Sequence, residues 1–566
     1  MTHHTLHSFW DGLAAAPLES PAAGLAQGLL VGSVGAAHLM GLADTALQLA
    51  SGDRTMLALG RELLLAAWEC DPLEGGLAAQ VVGLDKAFPW LDPATRGTVR
   101  ALVQAWRRPD DLRYYERLAG QMDFPKLQRF LDTQQGREPG NPYWLQQILA
   151  VGELGGDLDW LAGHLERPPA PGLELLHAAL RGRLLFAVTR YEDAASALAA
   201  APFAAEHHAR ALSRCGREDE AMALWARLLR ARPWHTTLAL GVHDRVAGLA
   251  QPPGPGERLG APTAVCVYSW NKADDLERTI AALAAAAEGW DHLFLLDNGS
   301  TDATPALVAA WAGRFGPDRC TVVTLPVNIG APAARNWLAR LPVARGFAYT
   351  AFLDDDADPP PHWLGSLARA VSAYPDAGVW GCRVLDQAAP HIIQSADLHV
   401  RLAAAPGPDL DARYNLALAA VDPFTVSTLH NEVPDLGQFD YLRPCASVTG
   451  CCHLFRSGSL LAQGDFSLSL SPSQFDDLEH DLRLAAQGGY ACYQGHLAVG
   501  HRKRSGKAVR ASRPQRGNAT ANKYKLHHLY PQETMRALVA HQDDILFRDA
   551  SAKLERLDRW LAGQPA

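Results

Sequence analysis

The sequence has few cysteines and no strong excess of basic charge. It contains nine Cys among 566 residues, and their odd number and scattered positions fit reduced thiols better than a disulfide framework. Reduced thiols are typical of the cytoplasm, so we expect a cytoplasmic protein. The net charge of −9 gives no overall electrostatic reason to bind nucleic acid, and we expect no nucleic-acid partner.

A secretion signal and a convincing membrane anchor are also missing. The first four residues are not a basic stretch that leads into an apolar one. Residues 20–43 carry no Asp, Glu, Lys or Arg and are long enough to cross a bilayer. However, this segment is rich in Gly and Ala, contains polar residues, and has no aromatic or basic anchors. We therefore predict a buried pair of helices and no transmembrane anchor.

The first 250 residues are rich in Ala and Leu at helical spacing, which predicts an all-α domain over residues 1–250. Within it, residues 189–194 (TRYEDA) are echoed by residues 216–221 (GREDEA). Residues 175–240 thus resemble a tetratricopeptide-type helical repeat. The offset is 27 residues rather than the roughly 34 of that repeat, so an ordinary helical hairpin is the alternative.

A Pro/Gly-rich stretch at residues 251–261 marks the clearest domain boundary, and we expect the parts on its two sides to fold separately. Beyond it, apolar strand-like runs alternate with amphipathic ones, which predicts an α/β domain over residues 262–515 with a mostly parallel, doubly wound sheet. A C-terminal helical tail is predicted over residues 516–566. Predicted strands are at 263–269, 292–296, 321–325 and 347–353, and predicted helices are at 274–287, 302–311 and 332–340.

Three consecutive carboxylates, Asp354, Asp355 and Asp356, follow the strand predicted at 347–353. The carboxyl ends of strands in α/β sheets are where such sheets bind ligands. Crowded carboxylates resist joint ionisation, and a divalent cation with oxygen ligands would offset their charge. A cation held there by Asp354 and Asp356 could in turn hold a diphosphate. The alternative is a solvated acidic turn. Because an edge carboxylate contributes little to packing, Asp356→Ala is expected to leave the fold intact.

Four segments carry a family resemblance: residues 267–272 (VYSWNK), 296–304 (LDNGSTDAT), 328–336 (NIGAPAARN) and 475–483 (FDDLEHDLR). In this order they resemble the motifs of glycosyltransferase family 2, whose nucleotide-sugar-binding domain has the GT-A fold. The resemblance covers residues 262–505. It implies an inverting transferase that uses a divalent cation, Mn²⁺ or Mg²⁺.

The resemblance implies a nucleotide-binding role for Tyr268, Ser269 and Asn271 in the first turn, where Trp270 replaces the usual Tyr. It also implies that Asp297 accepts hydrogen bonds from the base. A carboxylate is a strong acceptor for the ring N–H of uracil or thymine, so we expect a UDP- or dTDP-sugar as donor.

The resemblance assigns Arg335 to the diphosphate, and its planar guanidinium suits that role. A surface arginine in a salt bridge is the alternative. Asp354 and Asp355 are expected to contact the nucleotide as well. His501 is a candidate third metal ligand beside Asp354 and Asp356, with an ordinary loop histidine as the alternative.

In the fourth segment the family pattern makes Asp477 the general base, with Asp476 beside it. A base must lie within hydrogen-bond reach of the acceptor hydroxyl. On a helix, Glu479 and Arg483 form an i,i+4 pair. A solvated acidic helix is the alternative reading of this segment.

Two further groups of residues have weaker patterns. Basic residues after His501 suggest a flap over the phosphates, or else a solvated loop: Lys507, Arg510, Arg513 and Arg516. The spacing of Cys445, Cys451, Cys452 and His453 matches no common zinc site, so we interpret them as small core residues.

The acceptor is the least defined part of the prediction. A helical-repeat domain offers an extended surface for a protein, so we expect a protein acceptor, flagellin-like or another bacterial surface protein, recruited by the helical domain. The alternatives are a surface polysaccharide or lipid-linked sugar and, in another class, a binding scaffold with an inactive transferase domain.

Overall fold

The structure is a computed structural model that describes residues 5–14, 20–254, 256–286, 288–341, 346–403, 423–503 and 512–564. Lys507 and Arg510 of the predicted flap lie outside these residues. Two regions follow each other along the chain, an all-helical region up to about residue 250 and an α/β region after it, as the sequence predicts.

The helical region is built from short helices whose first turns are capped by side chains. For example, Asp53 accepts hydrogen bonds from the backbone N–H groups of Thr55 and Met56, which have no partner within the helix. The helices are α1 (Leu6–Ala14), α2 (Pro21–Val31), α3 (Ala36–Leu49), α4 (Arg54–Cys70), α5 (Gly75–Ala87), α6 (Pro93–Ala105), α7 (Arg113–Gln121), α8 (Phe124–Arg137), α9 (Pro142–Gly155), α10 (Leu158–Leu165), α11 (Glu174–Ala187), α12 (Tyr191–Leu198), α13 (Ala205–Arg214), α14 (Glu218–Ala231) and α15 (Thr236–Val246).

The uncharged segment at residues 20–43 forms α2 and the first half of α3, which confirms the predicted helix pair. Leu25, Leu29 and Leu39 are fully buried in the core of the helical region. No helix among the described residues combines the length and the apolar composition that a membrane crossing needs.

Over the predicted repeat, each helix from α11 to α14 packs against the next helix in the chain. The echoed alanines, Ala194 and Ala221, are both fully buried, because each lies where one helix passes close to another. The tetratricopeptide assignment itself stays a prediction.

The α/β region has twelve strands among the described residues: β1 (Thr263–Ser269), β2 (His292–Asp297), β3 (Cys320–Thr324), β4 (Tyr349–Asp354), β5 (Ala357–Asp358), β6 (Val379–Asp386), β7 (Ala389–Ser395), β8 (Val400–Leu402), β9 (Phe424–Val426), β10 (Leu442–Cys445), β11 (Cys452–Arg456) and β12 (Ala491–His501). Its helices are α16 (Ala273–Ala285), α17 (Thr304–Phe315), α18 (Ala331–Ala339), α19 (Trp363–Ala373), α20 (Ser457–Gln463), α21 (Asp476–Ala486), α22 (Arg513–Leu529) and α23 (Gln532–Ala562).

The main sheet has the order β10-β12-β6-β11-β4-β1-β2-β3, and β8 and β9 form a separate pair. Pairing directions show that β1, β2, β3, β4, β6 and β12 run one way, while β10 and β11 run the other way. The mostly parallel α/β sheet is therefore confirmed. Buried apolar clusters fill both of its faces, so helices cover the sheet on two sides.

The C-terminal helix α23 joins the two regions. Leu554, Leu557 and Leu561 lie in the core of the helical region, although they follow the α/β region in the chain. Across the same junction, Arg443 of β10 donates hydrogen bonds to the carbonyl oxygens of Leu30 (2.9 Å) and Val31 (2.6 Å) at the end of α2. A piece of the chain that began near residue 260 would lose these contacts, which argues against separate folding of the two parts.

Candidate active site

The predicted ligand-binding residues meet at the carboxyl ends of three neighbouring parallel strands. In the register of β1 with β4, Tyr268 is opposite Asp354. In the register of β1 with β2, Ser269 is opposite Asp297. Because parallel strands end at the same edge of a sheet, the turn after β1, the turn after β2 and the acidic cluster after β4 border one cleft.

The two loops that border the donor side of this cleft are bonded to each other. Asn271 Oδ1 accepts a hydrogen bond from the Thr301 backbone at 2.7 Å, and Asn271 N donates to Ser300 Oγ at 3.0 Å. Asp297 Oδ1 accepts from the Ser300 backbone at 3.0 Å. Asn271 has φ 53°, in the left-handed region that Asn tolerates better than most residues. These bonds fix the loops around Asp297, while Trp270 stays 49% exposed beside them.

Lys272 lies between two carboxylates of the acidic cluster. Its Nζ donates to Asp355 Oδ1 at 2.9 Å and to Asp356 Oδ2 at 2.7 Å. Ser269 Oγ donates to Asp355 Oδ2 at 2.7 Å. Burial by itself would lower the pKa of Lys272, but the two carboxylates outweigh it and hold this pKa above its ordinary value. Part of the charge of the cluster is thus offset by a lysine, which the sequence analysis did not assign to the site.

Asp356 is more buried than the sequence analysis expected. It is 2% exposed and contacts both Lys272 and His501, whose Nε2 lies 3.0 Å from Asp356 Oδ1. Burial opposes the charged form of Asp356, but the hydrogen bond from His501 and the charges of His501 and Lys272 outweigh it, and its pKa lies below the ordinary value. The premise that this carboxylate contributes little to packing is therefore wrong, whereas an intact fold in Asp356→Ala stays a prediction.

His501 brings the last strand of the domain to the acidic cluster. Its Nε2 also lies 3.8 Å from Asp354 Oδ2, and its Nδ1 is 2.9 Å from Gln394 Oε1 on β7. Because the amide oxygen can only accept, the Nδ1–H donates to it and the Nε2 faces the carboxylates. Burial lowers the pKa of His501, but the hydrogen bond and charge of Asp356 outweigh it, and the pKa lies above its ordinary value.

Potential metal ligands converge at this point. One ligand atom each from Asp354, Cys451 and His501 lies within 4.8 Å of the others. Burial raises the pKa of the Cys451 thiol, which keeps it protonated and a poor ligand. The remaining carboxylate and imidazole, with Asp356 in contact with the same imidazole, fit a divalent cation such as Mn²⁺ that accepts oxygen and nitrogen ligands.

Arg335 on α18 forms a buried ion pair with Asp476 at the start of α21. The Arg335 Nη1 is 2.5 Å from Asp476 Oδ2, and the two residues are 4% and 3% exposed. Its other terminal nitrogen is 3.6 Å from Asp354 Oδ1, and its guanidinium lies 5.4 Å from the centre of the Tyr268 ring. Burial raises the pKa of Asp476, although the charge of Arg335 opposes this effect. Arg335 is thus not the surface arginine of the alternative reading, and it links the strand-end acids to α21.

Asp477 is the least buried of the four acids in α21. Asp476, Glu479 and Asp481 are each at most 6% exposed, whereas Asp477 is half-buried. The backbone N–H of Gly450 donates to Asp477 Oδ2 at 2.7 Å and holds the carboxylate beside the Arg335–Asp476 pair. A Cβ on Gly450 would lie 2.6 Å from the Arg335 guanidinium, so only glycine allows this close approach.

The other acids of α21 have structural partners. Asp481 accepts hydrogen bonds from Ser447 Oγ at 2.7 Å and Val448 N at 3.2 Å. The predicted i,i+4 pair is present, with Glu479 Oε2 3.3 Å from Arg483 Nη2. The geometry therefore leaves Asp477 as the carboxylate of this helix that can face a bound molecule.

Three residues of the site were not assigned to it from the sequence. Gly450 and Gln394 lie in segments without a motif, and they reach the site through contacts with residues 27 and 107 positions away. Lys272 closes the first family segment, and its position one residue after Asn271 was the only available signal.

No curated protein matches this chain. The family described as Glycosyl transferase family 2 matches residues 264–431. Among solved structures, GalNAc-T7 with UDP, GalNAc and Mn²⁺ is 13% identical, with TM-score 0.32 and 46% of each chain covered. The mannosyltransferase PcManGT from Pyrobaculum calidifontis with GDP-Man and Mn²⁺ is 17% identical, with TM-score 0.32, and 61% of this chain and 88% of that chain are covered. S. aureus TarS is 14% identical, with TM-score 0.27 and 43% and 37% covered.

The chain thus spans less than half of the length of the GalNAc-T7 chain that it matches. The family match covers β1 to β4, the turns after β1 and β2, and the acidic cluster, and it ends before α21 and His501. The protein therefore contains a domain of glycosyl transferase family 2.

Proposed function

We propose that the protein is a metal-dependent, inverting glycosyltransferase that moves a sugar from a UDP- or dTDP-sugar to an acceptor hydroxyl. The observation that supports this most directly is the shared cleft. It joins the acids after β4, the imidazole of His501 and the start of α21 through the Arg335–Asp476 ion pair. The acids proposed for the donor side and the segment that holds the candidate base Asp477 are thus both close to one arginine.

Donor binding is assigned to the turns after β1 and β2. Asp297 is fixed by the Ser300 backbone and keeps a second carboxylate oxygen for a base N–H. Tyr268, Ser269 and Asn271 are assigned to the same part of the cleft, and Asp354 and Asp355 are assigned to the ribose and the diphosphate.

Asp354, Asp356 and His501 would hold the divalent cation. When bound, the cation supplies positive charge that stabilises the leaving nucleoside diphosphate. Arg335 adds a permanently charged guanidinium near the same position. Because Arg335 is already paired with Asp476, it does not need to reorganise when the diphosphate leaves.

Asp477 is assigned as the general base. Its two oxygens accept hydrogen bonds from the backbone N–H groups of Gly450 at 2.7 Å and Leu478 at 2.9 Å, and the side chain is half-buried. In a single displacement it would take the proton of the acceptor hydroxyl while the oxygen attacks the anomeric carbon from the face opposite the leaving group, which inverts the configuration.

For the acceptor we propose a protein, flagellin-like or another bacterial surface protein, recruited by the helical region. The packing of that region against β10 through Arg443 supports a role close to the transferase domain. A surface polysaccharide or lipid-linked sugar is the second candidate, because α22 beside α21 carries exposed basic residues.

A panel of nucleotide sugars with and without Mn²⁺ tests the proposal. We expect Mn²⁺-dependent hydrolysis of one UDP- or dTDP-sugar, measured as nucleotide release. When an acceptor is present, Asp477→Asn should lose the transfer of the sugar to that acceptor. If only a GDP-sugar were hydrolysed, the assignment of the donor's nucleobase as uracil or thymine would have to be corrected. Absence of both binding and hydrolysis across the panel would favour the inactive scaffold.

A further inference from the structure

A cavity of about 470 Å³ lies at the junction of the helical and α/β regions. Its walls come from α3, α4, α9, α11 and α13 of the helical region and from residues 429–439 of the α/β region, which lie between β9 and β10. We call it the junction cavity. Cavities that bind small molecules enclose about 300–1,000 Å³ and often lie between domains. None of the described residues assigned to the candidate active site lines the junction cavity.

Most charged side chains in the walls of the junction cavity are paired. Glu69 Oε2 lies 2.6 Å from Arg232 Nη1. Glu206 forms an ion pair with Arg210, and its Oε2 lies 3.1 Å from His235 Nε2. These groups compensate each other's charge, so they do not need a ligand.

Two side chains in the walls, Arg183 of α11 and Glu153 of α9, are exceptions. Both are half-buried, and within the part of the chain that the structure describes neither side chain forms a hydrogen bond or an ion pair. Asp71, which directly follows α4, accepts hydrogen bonds from Gln146 Nε2 at 3.0 and 3.2 Å but has no cation paired with it among the described residues. The charge of Arg183 acts on both acids without direct contact.

The unpaired groups are electrostatically costly as they stand. The Arg183 guanidinium keeps its charge at any ordinary pH, and a charge withdrawn from water needs a partner. Burial raises the pKa of Glu153 to about 7, so its ionised form lacks a compensating cation. His207 of α13 does not supply one, because burial lowers its pKa to about 3 and keeps it neutral. The junction cavity therefore offers one position for an anionic group and one for a cationic group.

The rest of the lining is mostly apolar. Its large side chains include Leu39, Leu149, Leu180, Leu184, Phe203 and Phe439. A ligand that removes this surface from water gains about 25 cal/mol for each Å² of apolar area. The occupant should therefore combine the two charged groups with an apolar body.

We propose that the junction cavity binds a small zwitterion of the class of the free apolar α-amino acids, with its carboxylate on Arg183 and its ammonium group on Glu153. Such a ligand pairs both groups at once and adds no net charge. A neutral sugar would leave both unpaired, and a simple anion would add negative charge beside Asp71 and Glu153. Binding requires neither donor nor metal, so its failure would not bear on the proposed transferase activity.

Calorimetric titration of the full chain with L-leucine and two analogues tests the proposal. L-leucinamide keeps the ammonium group without the carboxylate, and 4-methylpentanoate keeps the carboxylate without the ammonium group. We expect L-leucine to bind and each analogue to bind roughly 10–100-fold more weakly, because each leaves one charged group unpaired. The proposal is overturned if L-leucine, L-phenylalanine and L-methionine all fail to bind, or if either analogue binds as tightly as L-leucine.

Substitutions then assign the two groups of the ligand. Arg183→Gln should weaken L-leucine binding roughly 10–100-fold and leave L-leucinamide binding unchanged, whereas Glu153→Gln should weaken both. Arg181→Gln is the matched control, because Arg181 is an exposed arginine of the same helix, and it should bind like the unsubstituted chain. Equal losses in Arg183→Gln and Arg181→Gln, or an equal loss of both ligands in Arg183→Gln, would overturn the assignment of the carboxylate. The analogue series uses the unsubstituted chain and so does not depend on how the variants fold.

Discussion

The Arg335–Asp476 ion pair gives the sharpest test of how the site is built. Both residues are nearly fully buried, and their charged atoms are 2.5 Å apart. Arg335→Met would leave the Asp476 carboxylate buried without its cation. Removal of one partner of a buried pair costs about 3–5 kcal/mol, because the remaining charge is neither solvated nor compensated.

This cost should appear locally in amide hydrogen exchange of α21, which begins with Asp476. An opening free energy that falls by about 3–5 kcal/mol corresponds to exchange that is two to four orders of magnitude faster. The double variant Arg335→Met/Asp476→Leu removes both charges and should recover most of the protection, since apolar side chains of similar volume replace buried pairs at little cost. Both variants should lose donor hydrolysis, because neither offers a cation to the diphosphate.

A surface ion pair at the end of α18, the helix that carries Arg335, provides the control. Arg340 follows α18 and pairs with Asp465 at 2.7 Å, and the two side chains are 51% and 48% exposed. Arg340→Met should leave the exchange of α21 unchanged, since exposed pairs contribute little. If Arg335→Met changed exchange less than tenfold, or if the double variant were no better protected than the single one, the pair would not be what holds α21 at the sheet edge.

Four further variants test the base, the metal shell, the core and a buried acid. Asp477→Asn keeps the shape of the side chain but removes the proton acceptor, so acceptor transfer should fall by about 10²–10⁴ while donor affinity changes little. Gln394→Leu removes the acceptor of the His501 Nδ1–H and should weaken Mn²⁺ binding roughly 10–100-fold in a titration followed by electron paramagnetic resonance. Leu557→Ala in the fully buried part of α23 should lower the free energy of unfolding by about 2–5 kcal/mol in urea. Burial raises the pKa of Glu153 from 4.5 to about 7. Between these two pH values the native state binds more protons than the unfolded chain, so the free energy of unfolding falls as the pH rises. Glu153→Gln removes that fall and should raise the free energy of unfolding by about 1–3 kcal/mol more at about pH 8 than at about pH 5.

Each of these variants has a result that contradicts its basis. Normal turnover of Asp477→Asn would move the base to another carboxylate of α21. Unchanged Mn²⁺ affinity in Gln394→Leu, or an equal loss in the exposed control Gln387→Leu, would remove His501 from the metal shell. A cost below about 1 kcal/mol for Leu557→Ala would mean that α23 is not part of the helical core. Equal pH dependence with and without Glu153 would assign the pH effect to other groups.

Local features of the α/β region could be predicted from the sequence. The strand predicted at residues 263–269 matches β1 residue for residue, because an apolar run bounded by a Pro and by polar turn residues marks both of its ends. The helix predicted at 332–340 begins and ends one residue later than α18 does. The meeting of Asp297 with the acidic cluster also follows from the pattern, since successive parallel strands end at the same edge.

Contacts between distant segments could not be predicted. The charge of Asp355 and Asp356 was expected to need a cation, but the sequence offers no way to see that Lys272, 83 and 84 positions earlier, reaches both carboxylates. The burial of Asp356 has the same origin, because β12 returns His501 to it from the end of the domain. A pattern along the chain specifies which residues share a face, whereas these contacts depend on which segments pack against each other.

The position of α23 follows from such packing and changes how the two regions are connected. Its N-terminal half shares an apolar cluster with α21 through Met535, Leu538 and Leu482, while its C-terminal half contributes Leu554 and Leu557 to the helical core. The helix has 31 residues and so extends about 46 Å as a single hydrogen-bonded unit. Because its two ends are packed into different cores, a displacement of the helical region cannot leave α21 unaffected unless α23 bends or breaks one of its contacts. If the helical region recruits the acceptor, as we propose, α23 gives it a physical connection to Asp477 that a Pro/Gly linker alone would not provide.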